Sequence, residues 1–545
     1  MKRRDFITSS SLAAASLTSA LAISCNTTPP AKEEEKKPVS TDDSFALNEI
    51  TVAGIQEKVQ KGEYTYEQIT DMYQQRIDEL DKKGPAINAI IELNPDAKNF
   101  AKEMDRERKN GKIRSPLHGI PVLIKDNIDT ADKMKTSAGS LALANSIALK
   151  DSFVAQRLRQ AGAVILGKTN LSEWANIRSN HSTSGWSGRG GLTKNPYALD
   201  RNACGSSSGT GASIAANFAT VGIGTETDGS IVCPSTHNGL VGIKPTVGLV
   251  SRSGIIPISH SQDTAGPMCR CVADAAALLG VLTGTDPRDP ATNESNGKAL
   301  TDYTKFLDKD GLKGTRIGVA RKFFGFNDKV DQLMNQAIDV MKQNGAVIVD
   351  PADIPNVGKY DDTEFLVFLY ELKADLNAYL AGLGPNAPMK TLKDIIAFNE
   401  KNKDKEMPYF GQETFLKAEE KGPLTSKEYL DALAKNHRLS REEGIDAIMN
   451  KEKLDAIIAP TGEPAWVTDL INGDHFTGGY STPSAVAGYP HITVPAGMIF
   501  GLPIGISFFG RAWSESVLIR IAYAFEQATK HRQSPKFLPV ADLKA

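Results

Sequence analysis

The sequence predicts an α/β protein with a mostly buried sheet, and two observations support this prediction. From about Phe45 onward, segments with helical periodicity alternate with short apolar runs that are typical of buried strands. The chain of 545 residues is 40% hydrophobic and 23% charged, which is ordinary for a soluble globular protein with a substantial core. No internal repeat is found, and no change of composition after residue 45 marks a domain boundary.

In chain order, the first clear helix is predicted over residues 96–110. Asn94 and Pro95 precede it and Gly111 follows it, and this order of polar cap, early proline and terminal glycine is typical of a helix with these ends. Further helices are predicted over residues 153–160, 212–219, 327–344 and 426–435, and strands over residues 119–125, 163–166, 346–349, 454–459 and 491–494. The repeated helix-to-strand order predicts helices that pack against a sheet.

Two regions depart from this alternation. Residues 180–270 are rich in glycine, serine and threonine, and they contain most of the candidate functional residues. Residues 385–450 are charged and have a helical pattern. This second region either forms a cap over the core or presents a solvated helical face, and the sequence leaves both interpretations open.

Residues 1–25 predict an export signal. Arg3 and Arg4 precede a modest apolar stretch, which is the order found in a twin-arginine signal. The stretch ends in a loose lipobox at Cys25, which indicates a lipid-anchored protein of the periplasm or cell envelope, although a plain signal peptide with an incidental cysteine is the alternative. Residues 26–44 are too polar to pack and are expected to be a disordered linker, which leaves residues 45–545 as the folded domain.

The composition also excludes several partners and cofactors. The formal net charge is −2, so no basic field attracts nucleic acid or anionic lipid, and the lipid at Cys25 is the expected membrane attachment. The other cysteines are Cys204, Cys233, Cys269 and Cys271, and their spacing fits neither a zinc site nor a disulfide-dense framework. We therefore expect no metal and no cofactor. We interpret these cysteines as small buried side chains, although an oxidising compartment permits a disulfide.

One motif matches a nucleotide-binding loop in its letters. Residues 162–169 read GAVILGKT and fit the pattern GxxxxGK[ST]. In a phosphate-binding loop, the four variable residues turn so that their N–H groups face an anion. Here they are Ala-Val-Ile-Leu, which favours a buried strand in place of the loop, so we discount nucleotide binding.

A second motif, GSSSG at residues 205–209, fits the nucleophile elbow GxSxG with Ser207 as the nucleophile. Such an elbow needs a buried strand immediately before it, whereas residues 195–202 are polar and broken by proline. Several histidines follow that could complete a triad, so an α/β-hydrolase esterase that uses Ser207 remains an alternative.

Three segments together carry a more specific signal. Residues 119–127 (GIPVLIKDN) predict an apolar strand that ends on Lys125. Residues 205–213 (GSSSGTGAS) and 224–231 (GTETDGSI) are two loops rich in glycine and serine. Taken singly, a lysine at the end of a strand usually reaches solvent, and a Gly/Ser loop is more often a turn than a catalytic site.

In this order and at these separations, the three segments strongly resemble the amidase signature family. Ser206 precedes Ser230 by 24 residues, which is the separation that this family shows between its two catalytic serines. Further stretches agree, among them residues 261–267 (SQDTAGP), and the resemblance covers roughly residues 45–535. It implies a single large domain in which a twisted, mixed β-sheet lies between helical layers. It also implies an enzyme that hydrolyses a carboxylic amide to an acid and ammonia or an amine.

The resemblance further implies a role for each site residue. Ser230 would be the nucleophile that forms the acyl-enzyme. Ser206, after a cis Gly205–Ser206 peptide bond, would relay the proton between Ser230 and Lys125, and Lys125 would be the neutral general base. The backbone N–H groups that would form the oxyanion hole are those of Thr227, Asp228, Gly229 and Ser230.

Elementary chemistry is consistent with these roles. A lysine can act as a neutral base only if its pKa falls from about 10.4 towards neutrality, and burial at the end of an apolar strand lowers the pKa of Lys125 in that direction. The Asp-Gly turn at Gly229 lets consecutive N–H groups converge on one oxygen, where the loss of one donor costs about 2.7–4 kcal/mol.

The loops depart from the family's commonest pattern. Ser208 stands for a glycine, Cys204-Gly205 stands for Gly-Gly, and ETDGS stands for DTGGS. Both variants look closest to the peptide amidase branch, whose members release ammonia from C-terminal peptide amides. Two further functions remain open, namely an amidase subunit that supplies ammonia to a tRNA-dependent amidotransferase and a catalytically inactive binding lipoprotein. The export signal argues against the first, because tRNA is cytosolic, and the complete set of triad residues argues against the second.

Overall fold

The computed structural model describes residues 45–544, so the predicted export signal (1–25) and linker (26–44) lie outside the described residues. Eleven of the described strands form one sheet, and two form a separate hairpin. The strands are β1 (Ile90–Leu93), β2 (Pro121–Lys125), β3 (Val164–Thr169), β4 (Trp186–Ser187), β5 (Gly191–Leu192), β6 (Val221–Glu226), β7 (Val241–Lys244), β8 (Thr264–Cys269), β9 (Arg316–Val319), β10 (Val347–Val349), β11 (Ala456–Pro460), β12 (His491–Ile499) and β13 (Leu502–Phe509).

The large sheet is mixed, as the resemblance implied. Its strand order is β1-β3-β2-β6-β8-β7-β12-β13-β11-β9-β10. Strands β3, β2 and β6 run parallel to one another, as do β10, β9 and β11, and the strands between these two sets pair antiparallel. Because neighbouring parallel strands end at the same edge of a sheet, the last residues of β2 and β6, Lys125 and Glu226, lie at one edge.

Helices pack against this sheet around a large apolar core. Short helix α5 contacts β2 and β6, and the last helix α16 contacts β12 and β13. The helices are α1 (Val52–Gln60), α2 (Tyr66–Ile77), α3 (Ala97–Lys109), α4 (Phe153–Gln160), α5 (Ser208–Ala215), α6 (Val232–His237), α7 (Val272–Leu282), α8 (Asp328–Gln343), α9 (Asp361–Gly382), α10 (Leu392–Lys401), α11 (Lys403–Glu406), α12 (Glu413–Glu419), α13 (Lys427–Ser440), α14 (Asp446–Glu452), α15 (Thr482–Ala487) and α16 (Glu515–Thr529). Across the described part of the chain, every helix is too short or too polar to span a bilayer.

Most predicted elements are confirmed, with their ends shifted by a few residues. Helix α4 has the predicted bounds, and helices α3 and α8 are each one residue shorter at both ends. The helix predicted over residues 212–219 is misplaced, because α5 begins at Ser208 and ends at Ala215. Asn217 has a φ of +59°, and this left-handed backbone conformation is a common way for a helix to end.

The segment that matches the phosphate-loop pattern is a strand, as predicted. Val164–Thr169 forms β3, and Lys168 is fully buried. The Lys168 ammonium donates hydrogen bonds to the carbonyl oxygen of Ile128 at 2.6 Å and to Thr136 Oγ1 at 2.9 Å. This lysine therefore binds oxygens of its own chain inside the protein.

The charged region 385–450 packs as a cap. Its helices α10 and α12 contribute Leu392 and Phe415 to an apolar cluster that also contains Trp174 and Ile256. The Trp174 and Phe415 rings lie edge to face, with their centroids 5.7 Å apart. The apolar positions of this region therefore cover Trp174 and Ile256, while most of its charged positions are at least partly exposed. Glu406 is the exception, because it is fully buried and its Oε1 accepts hydrogen bonds from Ser140 Oγ and the Leu141 N–H.

The interpretation of all four cysteines as separate small side chains is wrong for two of them. Cys204 and Cys233 form a disulfide, with their Cα atoms 6.0 Å apart, whereas Cys269 and Cys271 are free. The separation of 29 residues carries no signal for this bond, because the bond depends on two loops meeting in space.

Candidate active site

Lys125 ends β2, and its side chain turns into the protein instead of reaching solvent. Its Nζ lies 2.7 Å from Ser206 Oγ and 2.9 Å from Thr225 Oγ1, and the carbonyl oxygen of Thr225 is 3.3 Å away. Thr225 lies near the end of the neighbouring parallel strand β6, which explains why it reaches the lysine. The three direct partners of the lysine are thus uncharged oxygens.

Burial of the Lys125 ammonium lowers its pKa to about 7. The carboxylates of Asp263 and Glu226 act to raise this pKa, but they do not offset the loss of hydration. A substantial fraction of Lys125 is therefore neutral near pH 7, and a neutral amine has a lone pair that can accept a proton.

Ser206 lies in the loop that leads into α5, and it is fully buried. The Gly205–Ser206 peptide bond is cis, as the resemblance implied. The Ser206 carbonyl accepts a hydrogen bond from the backbone N–H of Ser172 at 3.0 Å. A Cβ atom at position 205 would lie 2.1 Å from Ser172 Oγ, so this close approach requires glycine.

Ser230 lies in the turn between β6 and α6, beside the Ser206 loop. The backbone N–H of Ser207 donates to the carbonyl oxygen of Ser230 at 3.2 Å, which joins the two loops. Ser230 is 9% exposed, whereas Lys125 and Ser206 are 0% exposed. Among the described residues, the Ser230 hydroxyl takes part in no hydrogen bond. It is therefore the member of this trio that a ligand can reach.

The end of β6 fixes the chain that follows Ser230. Glu226 Oε2 accepts hydrogen bonds from the backbone N–H groups of Ile231 at 2.7 Å and Val232 at 3.0 Å. The Glu226 carboxyl is buried, and desolvation raises its pKa. This side chain holds the start of α6 and thereby limits the conformations of the turn that carries Ser230.

The turn before Ser230 presents unused hydrogen-bond donors. Within residues 45–544, four consecutive backbone N–H groups donate no hydrogen bond, those of Thr227, Asp228, Gly229 and Ser230. Gly229 has a φ of +81°, which favours glycine at this position of the turn. Unpaired N–H groups are rare in buried backbone, and successive ones in one turn form a concavity suited to an anion. The turn thus has the arrangement expected of an oxyanion hole.

A cavity of about 170 Å³ adjoins these groups. Asn127, Thr225 and Thr227 form part of its wall, and α9 contributes Asp375. Much of the rest comes from the segment that connects β7 to β8, with both apolar and charged side chains: Arg252, Ser253, Ile255, Ile256, Pro257, Ile258, His260 and Asp263. The cavity is therefore partly apolar and partly polar, and it reaches the turn before Ser230 at Thr227.

The sequence analysis missed the residues that support the trio. Thr225 Oγ1 accepts hydrogen bonds from both Lys125 Nζ and Asn127 Nδ2, each at 2.9 Å. Asp263 Oδ1 accepts from Thr227 Oγ1 at 2.6 Å, so it braces the turn of unpaired N–H groups. All three supporting residues lie inside segments that carried the family resemblance, but a motif gives no distance between loops.

Ser207, the alternative nucleophile, does not occupy an elbow. It is fully buried, and its Oγ donates to the carbonyl oxygen of Thr225 at 3.1 Å and accepts from the N–H of Thr225 at 3.2 Å. The nearest preceding strand, β5, ends at Leu192. The Ser207 hydroxyl therefore ties the start of α5 to β6.

Metal-ligating atoms approach one another at two places in the described part of the chain, and neither place includes a member of the trio. The first place is formed by Cys204, Cys233 and His237, and its two sulfurs are already bonded to each other. The second place is formed by His260, Glu371 and Asp375, and its histidine is hydrogen-bonded to Asp375 at 2.8 Å.

Comparison with known proteins agrees with this geometry. Residues 68–519 match the family described as Amidase. A probable amidase of Arabidopsis thaliana is 43% identical over 504 residues, which is 91% of this chain and 93% of that protein. The native peptide amidase of Stenotrophomonas maltophilia superposes with a TM-score of 0.86 at 50% identity, over 90% of this chain and 99% of that chain. A glutamyl-tRNA(Gln) amidotransferase subunit of Thermoanaerobacter pseudethanolicus is 34% identical over 90% of this chain and 98% of its own length.

Proposed function

The chain belongs to the amidase family, and from this premise we propose that Lys125, Ser206 and Ser230 carry out its hydrolysis of a carboxylic amide. The protein is accordingly a hydrolase of carbon–nitrogen bonds. The observation that carries the proposed roles is the buried contact of 2.7 Å between Lys125 Nζ and Ser206 Oγ. A lysine with a pKa near 7 can take a proton through a serine hydroxyl at neutral pH.

In the proposed acylation step, Ser230 Oγ attacks the carbonyl carbon of the amide. Its proton passes to Ser206 Oγ while the Ser206 proton passes to Lys125 Nζ. The carbonyl oxygen becomes an oxyanion that the N–H groups of residues 227–230 stabilise. The proton then returns through Ser206 to the amide nitrogen, the carbon–nitrogen bond breaks, and ammonia or an amine leaves the acyl group on Ser230.

In the proposed deacylation step, water replaces the departed amine. Lys125, again neutral, receives the proton of the attacking water through Ser206, and a second oxyanion forms at the same N–H groups. Collapse of this intermediate breaks the ester bond and returns the proton to Ser230 Oγ. The products are the carboxylic acid and the original enzyme.

The pH dependence of amide hydrolysis tests this mechanism. We expect kcat/KM to rise with pH through a midpoint near the Lys125 pKa of about 7, because the protonated lysine cannot accept a proton and the neutral one can. Asp263→Asn removes a charge that raises this pKa, so the midpoint should move to lower pH. The measurement is an initial-rate profile for both enzymes in buffers of constant ionic strength.

Asp375→Asn is the matched control for this profile, because Asp375 lines the same cavity but does not contribute to the pKa of Lys125. Its midpoint should equal that of the unmodified enzyme. A profile that is flat across neutral pH, or an equal midpoint shift in both variants, would contradict a role for Lys125 as the base.

For the substrate, we propose a primary amide at the end of a small peptide or amino-acid derivative. The similarity to a peptide amidase at 50% identity supports this choice. The adjoining cavity supports it too, since its volume of about 170 Å³ is small and it carries Arg252 and Asp263, which suit a polar ligand. Cavities for larger ligands are typically roughly 300–1,000 Å³.

We expect a higher kcat/KM for a peptide amide than for an arylamide or a long-chain fatty amide, all measured at one pH. The charged side chains of the cavity wall, such as Arg252 and Asp263, should stabilise the transition state of the peptide substrate more than that of an alkyl chain. A tenfold preference for the fatty amide, equivalent to about 1.4 kcal/mol, would refute the proposed substrate class and leave the amidase chemistry intact.

An amidotransferase component is the second candidate, because one relative with that name covers most of both chains. The predicted export signal opposes it, since charged tRNA is a cytosolic substrate. We therefore propose that the enzyme acts outside the cytosol as a free amidase, held to the cell envelope by lipid at Cys25. The disulfide between Cys204 and Cys233 is consistent with an oxidising compartment.

The location is tested on the mature protein. We expect mass spectrometry to find a lipidated Cys25 at the new N-terminus, with more than one acyl chain, because a single chain does not give stable anchoring. Cys25→Ala removes the attachment point of these chains, so this variant should be released as a soluble, active enzyme. An unmodified Cys25, or cleavage at another position, would contradict the lipoprotein assignment. Retention of Cys25→Ala in the membrane fraction would do so as well.

A further inference from the structure

The disulfide between Cys204 and Cys233 joins the two serine loops. Cys204 lies two residues before Ser206, and Cys233 lies three residues after Ser230. The Cα atoms of the two cysteines are 6.0 Å apart. A covalent bond thus links the two short stretches that carry both serines of the proposed reaction.

The backbone N–H of each cysteine is hydrogen-bonded to a residue of its own loop. The N–H of Cys204 donates to Asn202 Oδ1 at 2.7 Å, and Cys204 has a left-handed φ of +57° next to Gly205. The N–H of Cys233 donates to the carbonyl oxygen of Gly229 at 2.8 Å, which attaches the disulfide to the turn of unpaired N–H groups. Movement of either sulfur is therefore transmitted directly to the residues around each serine.

Without the disulfide, the direct backbone hydrogen bond between the two loops is that of 3.2 Å from the Ser207 N–H to the Ser230 carbonyl. Beside the disulfide, the Asn238 amide forms a noncovalent bridge, because its Nδ2 donates to the carbonyl oxygens of Ala203 at 3.0 Å and Pro234 at 2.7 Å. The backbone hydrogen bond lies on the C-terminal side of Ser206, and the disulfide lies on its N-terminal side. The relay between Ser230 and Ser206 is thus held from two sides, and misplacement of reacting groups by about 1 Å can cost about a hundredfold in rate.

We propose that the Cys204–Cys233 disulfide is a positioning element of the amidase reaction, and that its reduction lowers kcat without a matching change in KM. This inference rests on the proposed function of Ser206 and Ser230. The cavity wall is formed largely by residues 252–264, and neither cysteine lines it. Substrate binding should therefore persist when the relay is loosened.

Reduction is chemically feasible from solvent. Cys233 is partly exposed, whereas Cys204 is 4% exposed. An external thiolate attacks Cys233 Sγ, the sulfur–sulfur bond breaks, and Cys204 leaves as a thiolate that takes a proton. A second external thiol releases Cys233 as a thiol and leaves as part of an external disulfide. Two electrons and two protons thus pass from the reductant to the protein.

The test compares the oxidised and reduced forms of the full mature enzyme. Dithiothreitol reduces the protein, alkylation with mass spectrometry confirms that both thiols are free, and kcat and KM are measured on a peptide amide. We expect kcat to fall about tenfold and KM to change less than about twofold, with recovery after reoxidation by oxidised glutathione. Cys204→Ser/Cys233→Ser should behave like the reduced enzyme and no longer respond to dithiothreitol, whereas Cys271→Ser should respond fully.

The rate at which a fluorophosphonate labels Ser230 gives a second readout that does not depend on the amide chosen. It should fall with kcat on reduction. Unchanged labelling and unchanged kcat in a folded, fully reduced enzyme would overturn the proposal, as would free thiols at both positions in the enzyme as isolated. A rise of KM in proportion to the loss of kcat/KM would instead assign the disulfide a general structural role. An oxidised enzyme that labels normally but hydrolyses no amide would refute the proposed function and leave the labelling comparison valid.

Discussion

Replacement of Ser230 by alanine is expected to abolish turnover. The hydroxyl is the proposed nucleophile, so without it no acyl-enzyme forms, and loss of a triad nucleophile lowers kcat by about 10⁴-fold or more in comparable enzymes. The same variant should lose all labelling by a fluorophosphonate. The measurements are kcat on a peptide amide and peptide mapping of the labelled protein.

Two further serines make this experiment specific. Ser235 lies in α6, the helix that follows Ser230, and its buried hydroxyl has no hydrogen-bond partner among the described residues. Ser235→Ala should therefore keep the activity of the unmodified enzyme. Ser207→Ala loses two hydrogen bonds to Thr225 and should keep partial activity. An inactive Ser207→Ala together with an active Ser230→Ala would establish the esterase elbow in place of the proposed triad.

Loss of the proposed base or relay should be nearly as severe. Lys125→Ala and Ser206→Ala should each lower kcat by about 10³-fold or more, because each change interrupts the same proton path. The double variant should be little worse than either single variant, since residues that act as a unit do not contribute additively. The measurement is kcat for the three variants at a pH above the Lys125 pKa.

Lys125→Arg distinguishes a lysine that accepts a proton from a lysine that supplies only a positive charge. Arginine keeps the charge but stays protonated, so this variant should be as inactive as Lys125→Ala if the lysine accepts a proton. Equal circular dichroism spectra and melting temperatures would show that the fold is intact. Substantial activity in Lys125→Arg would mean that the charge, and not proton transfer, is what the reaction requires.

The sequence predicted the fold in outline because apolar periodicity is a local property. The run Ala-Val-Ile-Leu at residues 163–166 identified β3 in spite of the phosphate-loop letters around it. The register of α5 could not be predicted in the same way. All of its residues are buried and, except for Ile214, all are small, so no apolar stripe marks where the helix begins.

The same distinction between local and long-range features separates the site residues that the sequence predicted from those that it did not. The three residues of the trio were found because each lies in a motif of fixed spacing. Thr225 accepts a hydrogen bond from Lys125, and Asp263 accepts one from Thr227, which lies in another segment of the chain. The disulfide likewise joins two loops. Such contacts depend on how β6 and β8 lie in the sheet, which is a long-range property that a single sequence does not encode locally.

The unpaired N–H groups of residues 227–230 set a limit on how this protein can be made more stable. Folding removes these donors from bulk water and gives them no partner among the described residues. The free energy of unfolding of the enzyme without substrate is therefore lower than it would be if the N–H groups of this turn were hydrogen-bonded within the protein. Substitutions that stabilise proteins often do so by relieving such local deficits, and the recurrent penalty is lost activity. Selection for heat resistance alone would therefore favour substitutions at this turn that give the N–H groups an acceptor within the protein. The resulting enzyme would be more stable, but these N–H groups could no longer stabilise the oxyanion, and its activity would be lower.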